Sequence, residues 1–204
     1  MSESLCKKCR RAGQKLYLKG ERCLSPKCAF TRRSYIPGQH GPKSRTRLSD
    51  YGKQLREKQK AQAIYNITAN QLKKYFQKAS KNKEATNEVL MQALELRFDN
   101  ILYRLNLADS RRQARTMIKD GHFCINNIKN TVPGRKIKIN EKISLRREKG
   151  KLITEIKEKI KNVKTAKWLE LDKSKLVGVI KNIPTRDQID ADIDESLIIE
   201  YFSR

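Results

Sequence analysis

The chain predicts an α+β protein. A four-cysteine knuckle leads into a mainly helical domain, and a small module of two helices followed by short strands is inserted before a C-terminal segment that packs back. Three observations carry this prediction: apolar residues recur at helical spacing through residues 70–118, the spacing shifts towards two beyond Gly121, and four cysteines crowd into the first 28 residues. The implied parts are a knuckle and basic extended arm at 1–45, the first part of the helical domain at 46–92, the inserted module at 93–148, and a segment completing the helical domain at 149–204.

In the knuckle, Cys6, Cys9, Cys23 and Cys28 are separated by two, thirteen and four residues. A two-residue gap lets two thiolates of one turn reach the same ion, and the longer loop returns a second turn to complete a tetrahedral sphere. This is the spacing of one structural Zn2+ site. Lys7, Lys8, Arg10, Arg11, Arg22 and Lys27 surround the thiols and favour the thiolate form that a metal requires. A catalytic zinc needs an open position and a nearby general base, and neither is visible. Two disulfides are the competing arrangement, disfavoured because Met-Ser-Glu-Ser-Leu-Cys lacks the charged and apolar regions of a signal peptide. A cytosolic or organelle-matrix location is therefore expected. Cys124, inside Phe123-Cys124-Ile125, reads as a small core side chain, and His40 as a phosphate contact or turn residue.

Residues 34–48, rich in Gly, Pro and cations, predict an extended loop in which Lys43, Arg45 and Arg47 alternate along an arm. Ser49 or Asp50 can cap a helix running through Lys60, and a second helix over 70–81 places Leu72, Tyr75, Phe76 and Ala79 at core spacing. Leu94, Phe98, Ile101, Leu102 and Leu105 predict one amphipathic helix. Ser110 then caps a basic helix with two opposite sides, which Gly121 can terminate in the left-handed region. Arg111, Arg112, Arg115 and Lys119 fall within one quadrant, and Ala114, Met117 and Ile118 lie opposite. The polar arc carries no adjacent acid, unlike a salt-bridged surface helix, so it predicts a phosphate-facing surface. Short strands follow around Phe123, Ile125, Ile137, Ile139, Ile143 and Leu145, then a lysine-rich helix over 149–164.

The charge balance restricts function. A formal net charge of +25, from 47 Lys+Arg against 22 Asp+Glu, calls for a polyanionic partner. Residues 165–204 reverse the trend with six bases and eight acids, and Trp168 with Leu197, Ile198, Ile199, Tyr201 and Phe202 makes that segment a packed one that faces protein. No apolar run reaches membrane-spanning length, and no nucleotide loop, carboxylate pair or nucleophile suggests a small-molecule substrate. Asp99 lies on the polar side of its predicted helix and is expected to pair with a nearby cation.

Taken in order, these segments resemble one family, small ribosomal subunit protein four of bacteria and organelles in its zinc-containing form. The resemblance rests on the four cysteines, Tyr35 to Gly41 around Pro-Gly-Gln-His-Gly, Leu48 to Lys60, Leu94 to Leu105, Ser110 to Asn126, Trp168-Leu-Glu170 and Glu195 to Arg204. It implies a non-enzymatic constituent of the small subunit that binds rRNA at a multi-helix junction of the 5′ domain and nucleates assembly. It also implies neighbours including proteins three and five, mRNA near the channel through which it enters, and an influence on decoding accuracy. The candidate RNA contacts are Arg10, Arg11, Lys43, Arg45, Arg47, Tyr51, Arg56, Lys58, Lys60, Arg104, Arg111, Arg112, Arg115, Lys119 and His122. The alternative is an RNA-modifying or tRNA-charging enzyme carrying a similar module, for which the N-terminal part shows no catalytic signature. Asn66, Asn127 and Asn140 stand where the family favours glycine, and asparagine tolerates the positive φ such turns need.

Overall fold

A computed structural model describes residues 4–43, 47–82, 85–146, 151–160 and 165–204. The chain divides into two units: a split one, Met1–Asn87 with Ala191–Arg204, and a continuous one, Glu88–Asp190.

The split unit begins with three short helices, α1 (Leu5–Ala12), α2 (Glu21–Leu24) and α3 (Ala29–Arg32), which carry or flank the four cysteines. Helix α4 (Asp50–Tyr65) starts as expected, with Ser49 Oγ accepting the Gly52 N–H at 3.2 Å. It stops at Asn66, whose φ of 52° is left-handed. Helix α5 (Ala69–Ala79) opens with a reciprocal capping box between Thr68 and Gln71, which satisfies two otherwise orphaned N–H groups. Leu72 and Ala79 are buried, and Tyr75 and Phe76 half-buried.

In the continuous unit, α6 (Thr86–Glu95) and α7 (Phe98–Arg104) replace the single amphipathic helix expected across residues 94–105. The break comes at Leu96 and Arg97, where the chain turns extended to bridge Lys136. Loop carbonyls supply the reason. Arg135 O accepts the Phe98 N–H at 2.9 Å, Pro133 O accepts the Asp99 N–H at 3.1 Å, and Leu96 O receives the Ile137 N–H at 3.0 Å. The loop thus satisfies first-turn donors that a continuous helix would have paired internally. Apolar spacing runs on through the break, which is why periodicity cannot reveal it.

Helix α8 (Arg111–Lys119) leads into β1 (Phe123–Ile125), β2 (Ile128–Lys129) and β3 (Lys142–Leu145). Asn126 and Asn127 join β1 to β2 with φ of 49° and 66°, the pair of left-handed residues a two-residue hairpin favours. Asn140 also has φ of 64°. All three asparagines at family glycine positions therefore take the conformation expected of them. Ile137 is buried without joining a strand, and Ile139 is exposed, so the strands expected at these residues are confined to a single bridge at Lys136.

Two further strands, β4 (Leu169–Asp172) and β5 (Val177–Ile180), follow helix α9 (Lys151–Ile160). They complete a five-stranded antiparallel sheet of order β2-β1-β3-β5-β4, with Ile143 opposite Gly178. A methyl group at Gly178 would collide with Leu105, so glycine lets α7 lie close on the sheet. Phe98, Ile101, Leu102, Leu105, Phe123 and Trp168 are among the fully buried residues of this core, joined by Ile153, Ile156 and Ile160 of α9. The expected boundary at residue 149 is thereby corrected. Residues 151–190 belong to the sheet-bearing unit because β5 pairs with β3, and only Ala191–Arg204 return to the helical one.

That return ends in α10 (Glu195–Ser203), capped by Asp194. Ile198 is fully buried, Phe202 stacks on Phe76 at 5.3 Å, and Gln54 Nε2 donates to Glu200 Oε2 at 2.9 Å. Among the described residues, no helix is long and apolar enough to cross a membrane.

Candidate nucleic-acid interface

Helix α8 has the two-sided character its sequence requires. Ser110 Oγ accepts the Gln113 N–H, Gly121 takes φ of 75°, and Ala114, Met117 and Ile118 are buried. Arg112 and Lys119 project into solvent. Arg111 and Arg115 are only half-exposed, and each is held by α7. Arg111 Nε donates to Asn100 Oδ1 at 2.7 Å while its guanidinium lies 4.4 Å above the Tyr103 ring. Arg115 Nη1 lies 3.9 Å from Asp99 Oδ2. The arc of cations is therefore not free of acids, as a reading of α8 alone suggests; the acid comes from the neighbouring helix. Fixing two guanidiniums in this way lowers the entropy lost when they meet a ligand. His122, just past the helix, is half-buried and holds its place through its main chain, receiving the Arg146 N–H at 2.8 Å.

Beneath α8 lies a buried polar network that sequence reasoning missed. Glu95, Arg97, Asp99 and Asn100 are each at most 1% exposed. Arg97 grips Asp99 with two hydrogen bonds, at 3.0 and 2.6 Å. Glu95 accepts from Asn100 at 2.8 Å and from Arg104 twice at 3.0 Å. Arg104 is thereby corrected as a candidate RNA contact: its largely buried fork is committed to Glu95 and links α6 to α7. Asp99 pairs with a cation as expected, but in the interior. Burial pushes its carboxyl above the usual range, against the opposing pull of Arg97 and Arg115. The signal available in the sequence was four charged or amide residues inside one apolar run, the composition of a satisfied interior network rather than a wetted face.

In the split unit the candidate residues separate into exposed and committed groups. Arg11, Lys43, Arg47 and Tyr51 are exposed, and Arg10, Arg56 and Lys58 half-buried. Arg10 Nε donates to Tyr35 O at 2.9 Å, and its guanidinium sits over the Tyr35 ring at 4.8 Å. Lys58 Nζ donates to Tyr201 OH at 3.1 Å, which lowers the Tyr201 pKa, and the Tyr51 and Tyr201 rings meet at 5.8 Å. Lys60 is corrected as a phosphate contact. It is 6% exposed, with Nζ 3.2 Å from Glu57 and 3.9 Å from Asp192. Arg45 lies outside the described residues.

Cys9, Cys23 and Cys28 are buried, Cys6 is half-buried, and all four are free thiols; Cys124 is a buried thiol of β1. Main-chain N–H groups point at three of the N-terminal sulfurs. Lys19 N–H donates to Cys23 Sγ at 3.3 Å, the Thr31 N–H lowers the Cys28 pKa, and burial raises Cys9 despite the Leu16 main chain. Cys6, Cys23 and Cys28 also raise Cys9 electrostatically, so the four thiols share one neighbourhood. The donor chemistry suits zinc. Even so, among the described residues no three His, Cys, Asp or Glu side chains stand in an arrangement that could hold a metal ion.

Residues 1–95 match the family profile described as the ribosomal protein S4/S9 N-terminal domain, and residues 96–143 match the S4 domain. The junction between the two falls at the α6–α7 break. Curated relatives named small ribosomal subunit protein uS4 align along nearly the entire chain. The one from Pelotomaculum thermopropionicum is 44% identical over 203 residues, covering 98% of this chain and 97% of the relative. That from Geotalea daltonii is 46% identical over 202 residues, covering 98% and 96%. That from Syntrophomonas wolfei is 43% identical over 206 residues, covering 100% and 98%. Both profiles in sequence, with relatives this similar over their full length, establish that the chain belongs to the small ribosomal subunit protein uS4 family.

Proposed function

We propose that the chain is a structural, non-enzymatic constituent of the small ribosomal subunit that binds small-subunit rRNA. The observation that carries this reading is α8, where Arg111 and Arg115 are held in place beside exposed Arg112 and Lys119. Such forks bridge phosphates without reading bases, which suits A-form RNA, whose deep major groove a helix does not enter. The split unit contributes a second set of cations at Arg10, Arg11, Lys43, Arg47 and Arg56. Family membership supports the finer reading of a 5′-domain junction bound early in assembly, beside proteins three and five and near the mRNA's path inward. The enzyme alternative is not favoured, since the relatives are named as ribosomal proteins.

Binding of the full chain to protein-free small-subunit rRNA, against equal-length duplex RNA and tRNA, tests the reading. Neutralising six to ten phosphates gives a slope of log affinity against log salt of about −4 to −9. Tight, rRNA-selective binding with such a slope is the expected result. Equal binding to all three with a slope near −1 overturns it.

Cys6, Cys9, Cys23 and Cys28 are further proposed to hold one Zn2+. The ion would supply a structural crosslink between α1 and the segment running from α2 to α3, and no chemistry beyond that. Main-chain donors to Cys23 and Cys28 support this, because they stabilise those two sulfurs as the thiolates zinc requires. Native mass spectrometry is expected to show one zinc per chain, lost on Cys→Ser substitution of any of the four. Absence of metal from protein purified under reducing, chelator-free conditions counts against it.

A further inference from the structure

Arg111 and Tyr103 form a layered pair where α7 meets α8, and both side chains are half-exposed. The guanidinium carbon lies 4.4 Å from the centre of the tyrosine ring, so the ring backs one face of the planar cation. From its edge the plane is fixed by Asn100, whose Oδ1 accepts the Arg111 Nε–H at 2.7 Å. That acceptor is itself held in place. Asn100 is fully buried, and its Nδ2 donates to the Glu95 carbonyl and to Glu95 Oε2, both at 2.8 Å. Turning the amide over would lose both bonds and set its oxygen against a carboxylate. Gripping a phosphate through Nε and a neighbouring Nη would likewise cost Arg111 its bond to Asn100. The Arg111 charge still attracts an RNA strand, but what the anchoring adds is a flat surface of fixed orientation. A flat, oriented cation suits a partner that is also flat. Unpaired RNA bases stack on aromatic rings and on guanidinium planes alike. Exposed Arg112 and Lys119 on the same helix supply the charge that keeps a strand's phosphates close by.

We propose that an unpaired base of the RNA stacks on the Arg111 guanidinium, with Tyr103 and Asn100 as positioning residues that hold the plane. The proposal rests on the rRNA-binding reading and deepens it, naming an unstacked nucleobase, met by its π-face and not by its edges, as part of what α8 binds. Every base has such a face, so the contact favours unpaired RNA over duplex without selecting a sequence.

Three variants of the full chain test it, each checked for folding by thermal unfolding. Tyr103→Leu removes the ring, Tyr103→Phe keeps it, and Arg111→Lys keeps the charge but discards the plane. In rRNA titrations, Tyr103→Leu and Arg111→Lys are expected to lose about ten- to a hundredfold in affinity at unchanged salt slope, while Tyr103→Phe matches wild type. A short single-stranded oligoribonucleotide and its abasic counterpart of equal length then separate base from phosphate. With bases present both losses are expected to recur, and on the abasic strand to vanish. Equal losses on the two strands overturn the proposal, because the pair then acts on phosphates alone. Should Tyr103→Leu fail to fold, Arg111→Lys on the same two strands decides. If Tyr103→Leu and Arg111→Lys match wild type on rRNA while Arg112→Gln weakens binding, stacking falls and the rRNA reading stands. If Arg112→Gln also changes nothing and rRNA is not preferred over tRNA, the rRNA reading fails and takes the stacked base with it.

Discussion

The two units solve the problem of holding a strongly basic chain together by different means. The continuous unit builds one large apolar core from α7, α8, α9 and the sheet, and buries a satisfied charge network within it. Among the described residues the split unit buries fewer apolar side chains, Tyr65 and Leu72 the largest of them, together with three thiols and the return of α10. A small core supplies little stability, so the split unit depends on the return of its distant C-terminal helix. The difference teaches where each unit is vulnerable: the first to loss of an interior partner, the second to loss of a fastening.

The largest test of this contrast is Asp99→Ala. Removing the carboxylate takes both Asp99 hydrogen bonds from the buried Arg97 guanidinium, at about 3–5 kcal/mol. Denaturant unfolding followed by Trp168, the sole tryptophan, should show the continuous unit collapsing at lower denaturant, while α4 and α10 keep their amide protection. An unchanged midpoint would break the comparison.

The same residue gives a pH dependence. Because burial raises the Asp99 pKa, the folded state holds the proton more tightly than the unfolded one, and this contribution to stability declines as pH rises through the folded pKa. The stability of wild type relative to Asp99→Asn is therefore expected to grow as pH falls from neutral towards the unfolded pKa of about 3.9. Urea titrations at several pH values read this directly; a constant difference counts against it.

A smaller effect sharpens the account of the interface. Arg112→Gln with Lys119→Gln touches no interior partner, so stability should hold while the rRNA salt slope becomes shallower by about 1.4–1.8, two contacts at 0.7–0.9 each. Arg104→Gln should show the converse, with lower stability and an unchanged slope. The smallest expected change comes from Ser110→Ala, which removes the α8 cap at about 1 kcal/mol, measurable by chemical denaturation.

How much of this the sequence revealed follows from which interactions are local. The caps at Ser49 and Ser110, the stop at Gly121 and the left-handed asparagines were legible because each depends on a few adjacent residues. The α6–α7 break was not, since its donors are taken by a loop some forty residues away in sequence. The β4–β5 hairpin carried a readable signal, an Asp172 turn in which Oδ1 accepts from Ser174 and Lys175 between two apolar runs, and charge counting hid it. In the proposed interface, counting cations picked out α8 but could not separate exposed cations from Lys60 and Arg104, whose acids lie on other turns and elements.

The division of the split unit also sets an order in time. A chain made from its N-terminus completes residues 88–190 before α10 exists, so the unit that comes second in the sequence is the first able to close. Until Ile198 and Phe202 emerge, the surfaces of α4 and α5 that they cover remain open, and two helices made before residue 80 are sealed only by the last residues of the chain.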